Sequence, residues 1–334
     1  METPLWTEKH RPDVEELPQD DVREYLGQAV DEPINILLQG PKGSGKTAAA
    51  RALARASHAD PDNDLVVINV ADFFDRTKSE ITGDPRFEQF LAGRSSMAKR
   101  DMINHVLKEV AGYAPASGEY KTVLLDNAEA VREDFQQALR RVMERFHRNT
   151  QFLITTRQPT KLIPPIRSRC FPVPVTAPGE SETADVLRRI CEAEDADHDR
   201  EGLEYVAADA DGDLRAAVLA TQTTYEAEGE VTMTAAYETL GDVGTDDRVE
   251  QMLAHAEAGD FSDARSVLDD LLVDEGFTGE EVLADVLEAV PARYDGGRQA
   301  EFHRLAGEVD LDMAEGADDR VHLSHMLAEL VRDA

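Results

Sequence analysis

Up to residue 156, short apolar runs alternate with amphipathic stretches. Ile34-Asn35-Ile36-Leu37-Leu38, Leu65-Val66-Val67-Ile68-Asn69-Val70, Thr122-Val123-Leu124-Leu125-Asp126 and Gln151-Phe152-Leu153-Ile154-Thr155-Thr156 read as four buried strands. Helical spacing fills the intervals: Lys46 to Ala56, rich in Ala and Arg; Asp101 to Ala111, with Ile103, Val106, Leu107 and Val110 on one face; and Glu133 to Phe146. Strands that are apolar throughout and separated by helices predict a parallel sheet covered on both faces. After Pro172 the pattern changes, and no further buried strand is expected. Pro174, Pro178 and Gly179 mark a linker. Helices are expected over 181–194, 202–208 and 214–222. After a break at Gly241 to Gly244, more follow near 246–257, 262–273, 279–290, 297–308 and 318–332. Thr278 and Glu281 have the spacing of a capping box. The expected order is an α/β region over residues 1–173, a small helical region over 174–240 and an all-helical region over 241–334.

Charge modifies this picture. The chain of 334 residues carries 68 Asp and Glu against 35 Lys and Arg, a net charge of −33. A solvated carboxylate coat suited to a salty cytoplasm accounts for most of it. At 1 M salt the Debye length is about 3 Å, so such a coat does not exclude a polyanionic partner. The acidity is also uneven. Residues 94–170 hold 14 Lys and Arg against 8 Asp and Glu, a local net of +6, whereas residues 241–334 carry a net of −18. A basic island in an acidic chain is either a nucleic-acid-facing surface or a set of arginines paired with local acids and phosphate. No apolar run approaches the roughly 20 residues that span a bilayer, and no secretory signal is readable at the start. A cytoplasmic location is expected, and the two cysteines, Cys170 and Cys191, form neither a disulfide framework nor a zinc motif.

The most specific motif is Gly40-Pro41-Lys42-Gly43-Ser44-Gly45-Lys46-Thr47, which fits G-x-x-x-x-G-K-[ST] at every fixed position. Its glycines let backbone N–H groups curl around phosphate oxygens, and the following helix points its positive end at them. Lys46 is expected to reach the β- and γ-phosphates, and Thr47 to ligate Mg²⁺. The motif lies between a predicted strand and a predicted helix, as the mechanism requires. The predicted ligand is Mg-ATP. Asp126, at the end of the third strand, is the expected second metal ligand; its alternative reading is a helix cap.

These residues resemble the AAA+ clamp-loader ATPases, specifically the small subunits of replication factor C, of archaeal type and from a haloarchaeal paralogue. Trp6-Thr7-Glu8-Lys9-His10-Arg11-Pro12 is similar to the family's opening motif against the adenine. Asp126-Asn127-Ala128-Glu129-Ala130 stands where the family has D-E-A-D-A. Gln137 to Glu144 resembles its N-A-L-R-R-x-M-E helix, and Ser168-Arg169-Cys170 is its S-R-C signature. Gly212-Asp213-Leu214-Arg215 and Met313 to Ala317 are similar to its second- and third-domain motifs.

The resemblance implies a P-loop AAA+ domain, a helical lid and a C-terminal collar that holds a hetero-oligomeric ring. Arg169 would act in trans as an arginine finger on a neighbour's ATP, and Arg215 would sense the γ-phosphate in cis. Lys9 and Arg11 would contact the nucleotide. Implied partners are large and small clamp-loader subunits, a sliding clamp and primer–template DNA held through its phosphates. Lys99, Arg100, Arg140 and Arg141 are the candidate DNA contacts; Asn104 replaces one arginine of the family helix.

Two departures bear on turnover. Asn127 replaces the glutamate that orients the attacking water, and an amide cannot polarise that water as a carboxylate does. Arg157 stands at the family's sensor asparagine. ATP binding with impaired hydrolysis is therefore expected, with Glu129 two residues on as a partial substitute. Two other readings stay open: a non-catalytic scaffold of the same complex, and another AAA+ DNA-remodelling ATPase.

Overall fold

The computed structural model describes residues 4–70, 80, 99–112, 114–116, 118–241, 245–274, 277–315 and 318–332. They form two compact units, residues 1–239 and 240–334. The expected lid, 174–240, falls within the first unit apart from its final residue.

Among the described residues, five parallel strands build the sheet of the first unit: β1 (Ile36–Gln39), β2 (Leu65–Asn69), β3 (Lys121–Asp126), β4 (Thr150–Thr156) and β5 (Phe171–Pro174), in the order β2-β3-β4-β1-β5. Side-chain alternation sends each apolar run to both faces. Ile36, Leu38, Leu124, Leu153 and Val173 pack with Val22 and Leu26 of helix α1 (Asp20–Asp31) and with Ala49, Ala50 and Leu53 of α2 (Lys46–Ser57). Leu37, Val123, Leu125, Phe152 and Ile154 face α3 (Lys99–Gly112) and α4 (Glu133–Phe146), through Met102, Val106, Phe135 and Leu139. Burial on both faces is why these runs carry no polar alternation.

The fifth strand corrects the expectation of four. Two prolines in Phe171-Pro172-Val173-Pro174 argue against a strand, since proline has no N–H to donate. At a sheet edge the objection lapses. Phe171 and Val175 donate to the Asn35 and Gln39 carbonyls at 2.8 and 2.7 Å, so the intervening Pro172 and Pro174 turn their nitrogens to the unpaired side. A two-residue parallel pair, β6 (Asp197–His198) with β7 (Glu230–Val231), is a second strand feature absent from the sequence reading.

Helices α5 (Glu180–Ala193), α6 (Arg200–Asp209), α7 (Leu214–Glu228) and α8 (Met233–Gly241) follow the sheet. α7 runs six residues beyond its expected end, to Gly229, whose φ of +79° supplies the left-handed cap. α8 was not foreseen.

The second unit holds α9 (Thr245–Glu257), α10 (Phe261–Asp269), α11 (Gly279–Arg293), α12 (Gly296–Glu315) and α13 (Asp319–Arg332) around Leu253, Leu268, Val286, Phe302 and Leu327. The helix expected over 262–273 ends at Asp269, and its last expected residues lie in a π-helical turn, Asp270–Asp274. The capping box ahead of α11 is present: Thr278 N–H donates to Glu281 Oε2 at 2.9 Å, and Glu281 N–H to Thr278 Oγ1 at 3.3 Å. No helix among the described residues is long and apolar enough to cross a membrane.

Candidate phosphate-binding site

The loop from Gly40 to Thr47 links β1 to α2, and its glycines are sterically required. A Cβ on Gly40 would lie 1.9 Å from the Val175 carbonyl oxygen, and one on Gly43 would lie 2.0 Å from Asp213 Oδ1. Gly43 and Gly45 have φ of +72° and +92°, a region that only glycine visits cheaply. Gln19, buried on the approach to α1, donates through Nε2 to the carbonyls of Ser44 (3.0 Å) and Thr176 (2.8 Å) and so ties the loop to the end of the sheet. Ser44 Oγ donates to the Pro41 carbonyl at 3.0 Å. Pro41 and Lys42 are exposed at the outer bend. This cradle of backbone, which side chains would fill, fits a chain of phosphates.

Lys46 opens α2 and is buried, with Nζ donating to the Pro41 carbonyl. Burial pushes its ammonium pKa below the ordinary lysine value, against the pull of Glu129 and Asp126. Next to it, Thr47 Oγ1 donates to Asp126 Oδ1 at 2.7 Å, and Thr155 Oγ1 donates to the same oxygen at 2.5 Å. Thr47 and Asp126 thus offer two adjacent hard oxygens, the donor type magnesium takes.

Asn127 follows in the left-handed region at φ +57°, which asparagine tolerates better than most residues. Its N–H donates to Thr155 Oγ1 at 3.1 Å, and its Nδ2 lies 3.5 Å from Asn69 Oδ1. Glu129, in the turn after β3, accepts from Arg157 Nε at 2.9 Å and from Arg157 N–H at 3.2 Å. Burial alone would raise the Glu129 pKa; the hydrogen bonds from Arg157 and Thr156 outweigh it and hold the carboxyl below the usual value.

The other expected residues lie as follows. Arg215 is exposed in the first turn of α7, which docks on the loop: Leu214 N–H donates to the Gly43 carbonyl at 3.1 Å. Arg169 sits before β5, its Nη2 2.5 Å from Glu144 Oε1 and its Nη1 2.6 Å from the Pro165 carbonyl. Lys9 pairs with Glu194 at 2.6 Å, and Arg11 Nε donates to the Glu8 carbonyl at 3.0 Å. Trp6 is buried against α7, where its backbone N–H donates to Gln222 Oε1 at 2.8 Å and its ring centre lies 5.8 Å from that of Tyr225. Of the basic candidates, Arg140 shares Glu144 with Arg169, and Arg141 is exposed; the side chains of Lys99, Arg100 and Asn104 lie outside the described residues. Both cysteines are free and buried.

Sequence reasoning passed over Gln19, Thr155 and Asp213. Asp213 caps α7 through the Ala216 N–H at 3.0 Å while its carboxylate crosses Gly43. The signal for Asp213 was legible as an N-cap residue before a helix. Gln19 and Thr155 left no local trace.

Residues 29–178 match the family model "DNA polymerase III, delta subunit", and residues 245–329 match "Replication factor C C-terminal domain". The replication factor C small subunit of Halobacterium salinarum is 31% identical over 99% of this chain and 97% of its own length. That of Staphylothermus marinus is 32% identical over 98% of this chain and 94% of its own length. Among solved structures, the Thermotoga maritima RuvB Holliday junction branch migration motor superposes with a TM-score of 0.51 at 16% identity, over 80% of this chain and 91% of that one. The last likeness is one of fold, the P-loop AAA+ arrangement with its parallel sheet.

Proposed function

Since this chain belongs to the family of replication factor C small subunits, we propose that it is an ATP-binding subunit of a clamp-loader ring that places a sliding clamp on primed DNA. The observation that carries the reading is the joined set of Lys46, Thr47 and Asp126 under a glycine cradle. The loop amides and Lys46 would hold the phosphates, and Thr47 and Asp126 would hold Mg²⁺, which supplies charge neutralisation between the β- and γ-phosphates.

Hydrolysis by this subunit itself is impaired in this reading. Asn127 offers no carboxylate to the attacking water, and Glu129 is engaged by Arg157. Arg169 is the contribution to a neighbour. Its pair with Glu144 is partly exposed on both sides, and such surface pairs are worth about 0–1 kcal/mol, so exchange for a neighbour's phosphate costs little. Arg215, on the helix that docks at Gly43, is the γ-phosphate sensor in cis. Lys9 and Arg11, tied to Glu194 and the Glu8 carbonyl, are weaker candidates for the nucleotide. Residues 174–240 serve as lid and 241–334 as collar. DNA phosphates meet Arg140 and Arg141, and the carboxylate coat is an adaptation to high salt. A purely scaffolding subunit is the second reading, favoured by Asn127 alone.

The test is reconstitution with the companion large and small subunits, followed by ATPase measurement. Arg169→Ala is expected to cut turnover by about 10³-fold at the neighbour's site, while Lys46→Ala removes ATP from this subunit with a far smaller loss of turnover. Turnover by this subunit alone at the rate of relatives that keep the glutamate would overturn the impaired-hydrolysis reading. Failure to retain ATP would leave the scaffold.

A further inference from the structure

Asp213 lies on the phosphate loop, and its charge is not explained by its place in α7. As the N-cap of that helix it accepts the Ala216 N–H at 3.0 Å. Asparagine or serine would cap the helix about as well, so the cap requires an oxygen but not a carboxylate. A Cβ placed on Gly43 would lie 2.0 Å from Asp213 Oδ1 and 2.6 Å from Oδ2, so both oxygens rest on the main chain of the loop. Leu214 completes the cover. Its N–H donates to the Gly43 carbonyl at 3.1 Å, and its Cδ1 would lie 3.5 Å from a Cβ on Gly45.

The loop beneath is positive, because α2 starts there with its dipole and with the Lys46 ammonium. Three acids strengthen the hold of Lys46 on its proton: Glu129, Asp126 and Asp213. Two of them have other work. Glu129 is matched by Arg157 at 2.9 Å, and Asp126 is the expected metal carboxylate. Asp213 makes no ion pair among the described residues, so its carboxylate is balanced by the loop itself. A phosphate entering the cradle meets that negative charge. Two like charges about 4 Å apart repel enough, even at the dielectric constant of water, to weaken binding about fivefold.

We propose that Asp213 is an anion stand-in: its carboxylate neutralises the empty phosphate loop and opposes the phosphates of an incoming nucleotide, so the site binds more weakly than the loop alone would. This rests on the nucleotide reading above and adds the residue that tempers its affinity.

The test is calorimetric titration of the full chain with Mg-ATP and with Mg-ADP, at about 0.1 M and about 1 M salt, where the Debye length is about 10 Å and about 3 Å. Asp213→Asn keeps the helix cap and removes the charge, and Asp213→Ser does the same with a second cap. Each is expected to tighten both nucleotides about fivefold at the lower salt and less than about twofold at the higher. Glu228→Gln, which removes a charge from the far end of α7, leaves both affinities unchanged. Unchanged or weaker binding by the Asp213 variants at the lower salt overturns the proposal and leaves the nucleotide site standing. Equal tightening at both salts overturns it as well, because altered packing and not charge would be the cause. So does a gain of the same size in Glu228→Gln, which would trace the effect to net charge. Binding that is absent in the unaltered chain, or untouched by Lys46→Ala, removes the site and the proposal together.

Discussion

Leu214 donates its backbone N–H to the Gly43 carbonyl at 3.1 Å, so the first residue of α7 is bonded to the crest of the phosphate loop. The Asp213 carboxylate fills the space where a Gly43 side chain would begin. Gly43→Ala therefore meets two costs, an unfavourable φ of about 1–2 kcal/mol and a collision with Asp213. The variant is expected to lose about 1–3 kcal/mol in urea unfolding. Adding Asp213→Ala removes the collision but also a helix cap, so the double variant should be about 1 kcal/mol more stable than the sum of the singles predicts. Trp6, the single tryptophan, is buried on α7 and reports the transition.

Asp126 is the shared acceptor of Thr47 and Thr155. In the reading above it is also the carboxylate that holds magnesium. Asp126→Ala should bring ATP affinity in the presence of Mg²⁺ down to the value found in EDTA, as measured by equilibrium dialysis. An unchanged response to Mg²⁺ would reassign the metal ligand. Thr47→Ala is expected to act in the same direction with a smaller loss, because a neutral hydroxyl gives up less charge than a carboxylate.

Lys121 gives a pH signature. The residue is 2% exposed, and burial, partly offset by Asp64, lowers its pKa to about 8 from the ordinary lysine value of 10.5. Between those values the unfolded chain binds the proton and the folded chain does not. The lysine's contribution to stability therefore rises with pH from about 8 to about 10.5 and is least favourable below 8, where both states are charged. Compared with Lys121→Met, the unaltered protein should gain on the order of 1–3 kcal/mol across that window, read from urea midpoints. A pH-independent difference would show that the ammonium is not destabilised by burial.

Burial raises the thiols of Cys170 and Cys191 to about 12. Thiolate is the reactive form, so neither cysteine should be alkylated by iodoacetamide in the native state at pH 8, and both should react in denaturant. Mass spectrometry counts the adducts. Rapid labelling of Cys170 in the folded chain would mean that the segment between Arg169 and β5 opens readily.

The local sequence determined a good deal. Buried runs located four strands, because a strand covered on both faces has no polar positions to disguise it. G-x-x-x-x-G-K-[ST] located the phosphate loop, because its backbone geometry permits few other residues. Thr278 and Glu281 announced a helix start through contacts made within three residues. Tertiary structure decided what depends on partners distant in sequence. β5 became a strand because its position at the sheet edge spares Pro172 and Pro174 the N–H they lack. Gln19 became a brace for the loop because the fold brings it to Ser44 and Thr176. Glu129 and Arg157, separated by 28 residues, became a pair because two adjacent strands end side by side. Local preferences act along the chain and can be read there; the energies that joined these residues arise only when the chain has brought their groups within hydrogen-bonding reach.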